Sequence, residues 1–252
     1  LILLDSSDSM GVNILTGAAM YIPEDIIEDN DGNLIVSQWN RGLIKLNYSD
    51  ATRDMGFADV GVFMGADPVN SQNLSTANLG TCVGKDSRAD GADRMAYDST
   101  NDIVYVITRG GHATNHPDYE AFDPVDKGGK APKIVSLTSD GVCVDVIEWD
   151  DLTFTPYVIA IRQIDSEEHM FVIGRDNLAA DYTQGKMYSK NITTGDVTMC
   201  PGLESKYFST IASKIADIDV TSDGSYLYMA WKGWIFRYAM TKSASENTSC
   251  PT

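Results

Sequence analysis

Short β-prone runs separated by Gly- and Asp-containing turns recur along this chain, and helical periodicity is almost absent. The clearest copy is Ile26–Val36, where Asp31-Gly32 joins two β-branched runs. Such a pair supplies the positive-φ residues that a tight hairpin turn needs. The second strands of four similar units begin near residues 33, 102, 169 and 225. This unequal spacing predicts a structural repeat with long insertions.

Each unit is predicted to form an antiparallel sheet, and the sheets together to form one domain over residues 1–252. Repeated four-stranded units indicate the blades of a β-propeller, in which radial repetition leaves only short, protected edges. We therefore predict an all-β fold, a β-propeller of four-stranded antiparallel blades with long loop insertions; a β-sandwich is the structural alternative. The predicted elements are the hairpin 26–36 and the strand 43–46; the strands 93–98, 103–108, 133–137 and 142–149; the strands 157–164, 170–174, 186–190 and 197–200; and the strands 215–220, 226–230 and 234–238.

The segment from Asp31 to Leu46, Asp-Gly-Asn-Leu-Ile-Val-Ser-Gln-Trp-Asn-Arg-Gly-Leu-Ile-Lys-Leu, resembles a blade of the NHL-repeat and gluconolactonase-like propellers. Ser222–Tyr238 resembles it too. The resemblance implies six or seven blades, so four units imply a small propeller, unrecognised blades, or part of a longer chain. It also implies an axial divalent metal held by Glu, Asn and Asp in the lactonases. Only the segment around Glu24 is similar to the first of these ligands.

Three segments lie outside the predicted blades. Residues 65–92 and 109–132 are rich in turn-forming residues and are expected to be long surface loops, which commonly carry binding surfaces. Residues 1–16 contain the apolar run Leu1–Leu4, which we expect either to complete a blade or to pair with a neighbouring subunit. Because the chain starts at Leu1, we expect either a removed signal peptide or a segment of a longer protein.

Four cysteines, an even number, fit two disulfides, for which three pairings exist. Pairing Cys82 with Cys143 would attach the first long loop to the second blade, and pairing Cys200 with Cys250 would join the last two blades. We predict these two pairs. Disulfides are typical of secreted proteins.

Four Asn-x-Ser/Thr sequons accompany the cysteines, at Asn47, Asn73, Asn191 and Asn247. Chance sequons in a cytosolic protein are the alternative. With the even cysteine number and the acidic composition, they favour a secreted, N-glycosylated, extracellular protein.

The charge balance excludes two classes of partner. With 36 acidic against 19 basic side chains, the net charge is −17, which opposes binding to nucleic acid or to an anionic membrane surface. No apolar run approaches the length of a membrane helix, so we predict no membrane span.

Motifs for catalysis or cofactors are weak throughout the chain. Nucleophile elbows, Walker loops and His-Glu-x-x-His are missing, so the sequence leaves the question of an enzyme open and favours a non-enzymatic role. No cofactor is expected, although irregular Ca²⁺ sites in acidic turns such as 28–32 and 86–93 remain an alternative. The weaker metal candidates are Asp5, Ser7 and Ser9, which resemble the metal site of von Willebrand factor A domains, and the pair His112 and His116. His169 is expected on the surface of a hairpin.

The leading hypothesis is a secreted, glycosylated β-propeller that acts as a structural or assembly subunit of an extracellular matrix, surface appendage or filament. Its expected partners are copies of itself or other extracellular proteins, with N-linked glycans. The alternatives are a metal-dependent propeller hydrolase of the lactonase or esterase type, and a carbohydrate-binding propeller. The last would need exposed aromatic side chains, for which the candidates are Trp39, Trp149, Trp231, Trp234 and the tyrosines.

Overall fold

The protein is described here by a computed structural model. It forms two compact units, Leu1–Glu148 and Trp149–Thr252, each of which is considered by itself. The structure describes residues 23–38, 42–59, 61–63, 80–82, 85, 87, 89, 92–108, 133–148, 154–176, 185–200, 215–231, 233–242 and 249–251.

The first sheet of the first unit contains three regular strands in the order β1-β2-β3. They are β1 (Pro23–Glu28), β2 (Leu34–Gln38) and β3 (Gly42–Leu46). The β1–β2 turn contains Gly32 at φ 81°, as the Asp-Gly pair predicts. Isolated bridges from β3 to Arg53 and Phe63 place the following segment beside β3, where a fourth strand would lie.

The second sheet of this unit has four antiparallel strands in sequence order. They are β4 (Ala92–Asp98), β5 (Ile103–Thr108), β6 (Lys133–Thr138) and β7 (Cys143–Glu148). The two sheets of the unit share one apolar core, in which Ile35 and Leu43 of the first sheet pack with Val104, Val106 and Val135 of the second. Two 3₁₀ turns, Phe57–Asp59 and Gly80–Cys82, lie outside the strands.

The second unit consists of two four-stranded antiparallel sheets. Its core includes Phe171 and Met187 from one sheet and Leu227 and Met229 from the other. The first sheet contains β8 (Phe154–Ile164), β9 (Glu167–Asp176), β10 (Gly185–Asn191) and β11 (Val197–Met199); the second contains β12 (Ile215–Val220), β13 (Tyr226–Trp231), β14 (Trp234–Lys242) and β15 (Ser249–Pro251).

The fold class is therefore all-β, with four sheets of the antiparallel meander type from which propeller blades are built, as predicted. The second strands start at Leu34, Ile103, Glu167 and Tyr226, within two residues of the predicted starts. β15 completes the last sheet. Completion of a blade is one of the two expectations for Leu1–Leu4. Leu1–Leu4 and the loop 109–132 lie outside the described residues, as does most of the loop 65–92.

A register shift recurs near the beginning of the first strand of every sheet. It lies between Pro23 and Asp25 in β1 and between Ala92 and Met95 in β4. The equivalent shifts in the second unit are Pro156/Val158 in β8 and Ile215/Asp217 in β12. Because a bulge increases local twist and redirects the strand, this shared feature indicates that the four sheets are copies of one structural unit.

Both predicted disulfides are present. Cys82 is bonded to Cys143 on β7, with 61 residues of sequence separation, and Cys200 to Cys250 on β15, with a separation of 50. No cysteine is free. The two bonds indicate a protein that folds in an oxidising compartment, either secreted or periplasmic. No helix among the described residues is long and apolar enough to cross a membrane.

Candidate functional site

A buried ion pair lies at the turn between β1 and β2. Lys45 Nζ on β3 is 2.9 Å from Asp29 Oδ2, and the two side chains are only 5% and 1% exposed. Asp29 Oδ1 also accepts hydrogen bonds from the backbone N–H groups of Asp31 and Asn33. Lys45 donates to the carbonyl oxygen of Ser139 at 3.2 Å. These contacts satisfy charges whose burial would otherwise be costly.

The ion pair changes the pKa values of both partners. Burial alone would raise the pKa of Asp29, but the hydrogen bond from Lys45, the turn amides and the lysine charge lower it overall. Burial alone would lower the pKa of Lys45, but Asp29, with smaller contributions from Asp140 and Asp54, raises it overall. Both groups are therefore held in their charged forms.

Hydrogen bonds extend from this pair across three turns of the first unit. Ser139 Oγ donates to Asp102 Oδ2 at 2.8 Å, and Tyr97 donates its hydroxyl proton to Asp102 Oδ1 at 2.6 Å. The backbone N–H of Asn30 donates to the Tyr97 hydroxyl oxygen at 3.2 Å, so the hydrogen-bond network returns to the residue next to Asp29. Burial and the hydrogen bond to Asp102 raise the pKa of Tyr97. This hydrogen-bond network links the turns of the two sheets of the first unit.

This geometry does not favour the Ca²⁺ site considered for the acidic turn 28–32. The carboxylate of Asp29 is already occupied by an ammonium group and two backbone amides. Among the described residues, no group of three or more His, Cys, Asp or Glu side chains is placed to hold a metal ion. Glu24 lies on β1, where its backbone carbonyl accepts a hydrogen bond from Arg94. Asp5, Ser7, Ser9, His112, His116 and the acidic residues Asp86 and Asp90 lie outside the described residues.

Two of the four sequons form the same turn in two different sheets. Asn47 follows β3 and Asn191 ends β10; each accepts a backbone hydrogen bond from the residue four positions later, Ala51 or Gly195. Both of those residues have positive φ. In the second of these turns the side chain also takes part, because Asn191 Oδ1 accepts hydrogen bonds from the backbone N–H groups of Thr193 and Thr194.

The two asparagines differ in accessibility. Asn47 is half-buried, and its Nδ2 donates to Thr52 Oγ1 at 3.2 Å. Asn191 is fully buried, and its Nδ2, the atom to which a glycan would be attached, donates to Glu167 Oε2 at 3.0 Å. Asn73 and Asn247 lie outside the described residues.

The last sheet carries an exposed face that we call the tyrosine face. Exposed positions alternate with buried ones along β12 and most of β13, and with half-buried ones along β14 from Ile235 onward, as in a sheet covered on one side only. In contrast, β2, β3, β5 and β6 are buried at all or all but one of their positions. The tyrosine face consists of Asp217 and Asp219 on β12, Tyr226, Tyr228 and Ala230 on β13, and Ile235, Arg237 and Ala239 on β14.

Strand register arranges these side chains in rows. Asp219 is paired with Tyr228, which is paired in turn with Arg237, so the three lie side by side across the strands. A second row contains Asp217, Ala230 and Ile235. One edge of the face is thus acidic, the other carries a cation, and the centre is aromatic and aliphatic.

Contacts within the second unit hold the charged groups of this face. The guanidinium carbon of Arg237 lies 4.8 Å from the ring centroid of Tyr226, a cation–π geometry. Arg162 on β8 binds both carboxylate oxygens of Asp219, at 2.7 and 2.9 Å, and donates to the carbonyl of Val220. Tyr226 and Tyr228 are each 37% exposed and Ile235 is 77% exposed. Exposed aromatic and Arg side chains in this arrangement have the composition of a protein interface core.

Sequence reasoning placed one buried residue wrongly. His169 was expected on a hairpin surface beside two glutamates, but it is fully buried on β9. Its ring stacks against Phe171, with centroids 6.2 Å apart, and its Nε2 lies 3.9 Å from Glu167 Oε2. The strand begins at Glu167, so His169 is already inside the sheet, paired with Arg162 and Asn191.

Comparison with known proteins gives only a coarse relation at the level of fold. No protein-family model matches the chain, and no curated protein matches its sequence. Among solved structures, the chain is similar to a periplasmic gluconolactonase of Pseudomonas aeruginosa, with 12% identity and a TM-score of 0.47, over 86% of this chain and 52% of that one. It is also similar to an auxiliary nutrient binding protein of Bacteroides ovatus, with 11% identity and a TM-score of 0.47, over 90% of this chain and 40% of that one. The chain thus spans about half or less of either protein, and nothing about activity follows from the likeness.

Proposed function

We propose that this chain is a secreted, glycosylated β-propeller domain, a single domain over residues 1–252, that acts as a non-enzymatic structural or assembly subunit through protein–protein contacts. The observation that carries the proposal is the tyrosine face. Its exposed Tyr226, Tyr228 and Ile235 lie on a regular sheet whose opposite face is packed into the core of its unit. Covering such exposed apolar side chains with a partner lowers the free energy, because it removes their apolar surface from water.

Charge on the face supports a protein as the partner. The two carboxylates of β12 and the guanidinium groups of Arg162 and Arg237 border the aromatic centre, as polar groups border the core of a typical interface. Such a border fixes orientation and register more than it adds affinity. The disulfides support a setting outside the cytosol, in a matrix, a surface appendage or a filament.

A carbohydrate-binding function is the second candidate, because the same aromatic side chains could stack on sugar rings. Trp234, at the beginning of β14, is 68% exposed, and it lies on the opposite side of the strand from Ile235 and the tyrosine face. This candidate predicts that soluble oligosaccharides quench Trp fluorescence and that Trp234→Ala abolishes the effect. A protein contact predicts no such quenching.

The proposal can be tested on natively purified protein by electron microscopy together with hydroxyl-radical footprinting. We expect ordered assemblies in which Tyr226 and Tyr228 are protected from oxidation, and loss of protection when the assemblies are dissociated. Tyr48, 77% exposed on a turn of the other unit, is the internal reference for reagent dose.

Two results would contradict the proposal. One is isolated particles in which the oxidation of Tyr228 relative to that of Tyr48 is the same before and after the dissociating treatment. The other is turnover of lactones or esters that is lost on metal removal, which would support the hydrolase alternative. The variant Tyr228→Lys should reduce assembly, whereas the matched variant Tyr48→Lys should leave it unchanged.

A further inference from the structure

We propose that the tyrosine face is a two-fold symmetric interface with a second copy of this chain. This inference rests on the proposed function, because it names the partner of the same face. It goes beyond that function by fixing which side chains meet. The register of β12, β13 and β14 and the distribution of charge on the face carry the argument.

The tyrosine face occupies one side of its sheet, and the other side of the sheet is buried. Ile218, Val220, Leu227 and Met229 point to the opposite side and are 5% exposed or less. A sheet that packs on one partner in this way can accept a second sheet on its other face, about 10 Å away. The rows of flat and short side chains leave a surface on which another sheet can lie.

The charges of the face are self-complementary under one particular two-fold axis. In a face-to-face pair related by an axis parallel to β13, β14 of one copy lies over β12 of the other. Since Asp219, Tyr228 and Arg237 share one row, Arg237 of each copy then faces Asp219 of the other, whose carboxylate also binds Arg162 of its own chain and is 62% exposed. Tyr228 faces its own counterpart at the centre. Isologous contacts of this kind are the commonest form of homodimer.

The second row follows the same axis. Ile235 on β14 then lies over Asp217 on β12 of the second copy, because Asp217, Ala230 and Ile235 share one row. The charge pairs of the interface therefore come from the first row, with Tyr228 at its centre.

The overall charge of the chain limits how this interface forms. Each copy carries −17, so two copies repel one another at long range. At 0.15 M salt the Debye length is about 8 Å, which screens this repulsion while direct contacts persist. Dimer formation should therefore require moderate salt.

Charge reversal gives a test that depends on this register. Arg237→Glu places a glutamate against Asp219 of the second copy, and Asp219→Lys places a lysine against Arg237. Each variant alone should weaken self-association at least about tenfold, because like charges then face each other twice. In an equimolar mixture both contacts become attractive, so the two variants should form a one-to-one heterodimer. Sedimentation velocity of the full chain at 0.15 M salt, with one variant fluorescently labelled, measures both the self-association of each variant and the formation of the heterodimer.

Controls separate the interface from effects within one chain. Asp219→Lys also loses its contact with Arg162, and a misfolded variant could not recover in the mixture. Glu28→Lys makes the same charge change at an exposed position of β1 and should leave self-association unchanged. Monomeric wild-type protein at about 0.5 mM, unchanged dimers of Arg237→Glu, or a mixture that fails to associate would each overturn the proposal.

Cross-linking tests the position of the axis. All four native cysteines are in disulfides, so Tyr228→Cys adds a single thiol close to the axis. A short bis-maleimide should join two such chains rapidly, while Val144→Cys, equally exposed at 37% on β7, should react slowly. Equal rates would overturn the proposed axis. If native assemblies protect Tyr228 but the purified chain remains monomeric, this dimer is wrong and the proposed function stands with a different protein as partner.

Discussion

Lys45 Nζ lies 2.9 Å from Asp29 Oδ2 in an environment where both side chains are almost completely buried. Removing one partner leaves a buried charge without its counterion, which typically costs about 3–5 kcal/mol of unfolding free energy. We therefore expect Lys45→Met to destabilise the protein by about this amount, measured by urea unfolding. Lys190→Met on β10, at a half-buried lysine, should change stability by about 0.5 kcal/mol or less. Equal losses in the two variants would show that the ion pair is not the cause.

A double variant separates the pair from its individual charges. Asp29→Asn combined with Lys45→Met removes both charges at once. It should be more stable than Lys45→Met alone, because no buried charge then remains without a partner. If the losses of unfolding free energy in the single variants Asp29→Asn and Lys45→Met simply add in the double variant, the two residues do not interact in the folded protein.

The same pair predicts how stability depends on pH. The pKa of Asp29 is below its ordinary value of 3.8, so its contribution is present above that value and is lost as pH falls through the lowered pKa. The pKa of Lys45 is above 10.5, so its contribution is present below that value and is lost as pH rises through the raised pKa. We expect the stability difference between the wild type and Lys45→Met to be constant between these two values and to shrink in strong acid and strong base. Urea midpoints of the two proteins across that pH range measure this stability difference. A stability difference with a maximum confined to neutral pH would contradict the proposed pKa shifts of Asp29 and Lys45.

Much of the fold could be predicted from local signals in the sequence. The Asp31-Gly32 turn, the alternation in Tyr226–Ala230 and the spacing of the second strands each depend on residues close together in the chain. The short strand β15 (Ser249–Pro251) gave no such signal, because three residues of Ser, Cys and Pro carry no β-sheet periodicity.

The candidate sites depended on contacts between distant segments and could not be predicted in this way. Lys45 occupies what looks like a solvent-facing position in an alternating strand, yet it is buried because Asp29 and Ser139 converge on it. The alternation of Tyr226 and Tyr228 could be seen in the sequence, but which face of the sheet is covered depends on packing. His169 was misplaced for the same reason: adjacent glutamates suggested solvent, while the sheet register buries it.

The disulfides should contribute differently from the ion pair, because they restrict the unfolded chain. Their separations are 61 and 50 residues, for which the chain-entropy model gives roughly 4 kcal/mol each. We expect Cys82→Ala with Cys143→Ala to reduce the free energy of unfolding by about that amount. Cys200→Ala with Cys250→Ala should do the same in the other unit. Unfolding of each variant under non-reducing conditions, compared with the wild type, measures both losses; a loss of less than about 1 kcal/mol would mean that the bond adds little to the fold.

Glycan attachment should distinguish the two sequons that share a turn. Attachment at Asn47 leaves one N–H on Nδ2, which can keep its hydrogen bond to Thr52 Oγ1. Attachment at Asn191 would place a sugar where Nδ2 contacts Glu167 inside a fully buried site. We therefore expect Asn47 to carry a glycan and Asn191 to be unmodified in the folded, secreted protein.

Peptide mapping of protein from a secreting eukaryotic host, with and without enzymatic deglycosylation, tests this difference. Asn47→Gln should remove one glycan with little effect on stability. Asn191→Gln should remove none and should cost about 1–3 kcal/mol, because the half-buried carboxylate of Glu167 and the turn amides of Thr193 and Thr194 each lose a hydrogen bond to a fully buried side chain. A glycopeptide containing Asn191 in correctly folded protein would contradict the buried environment described for this turn.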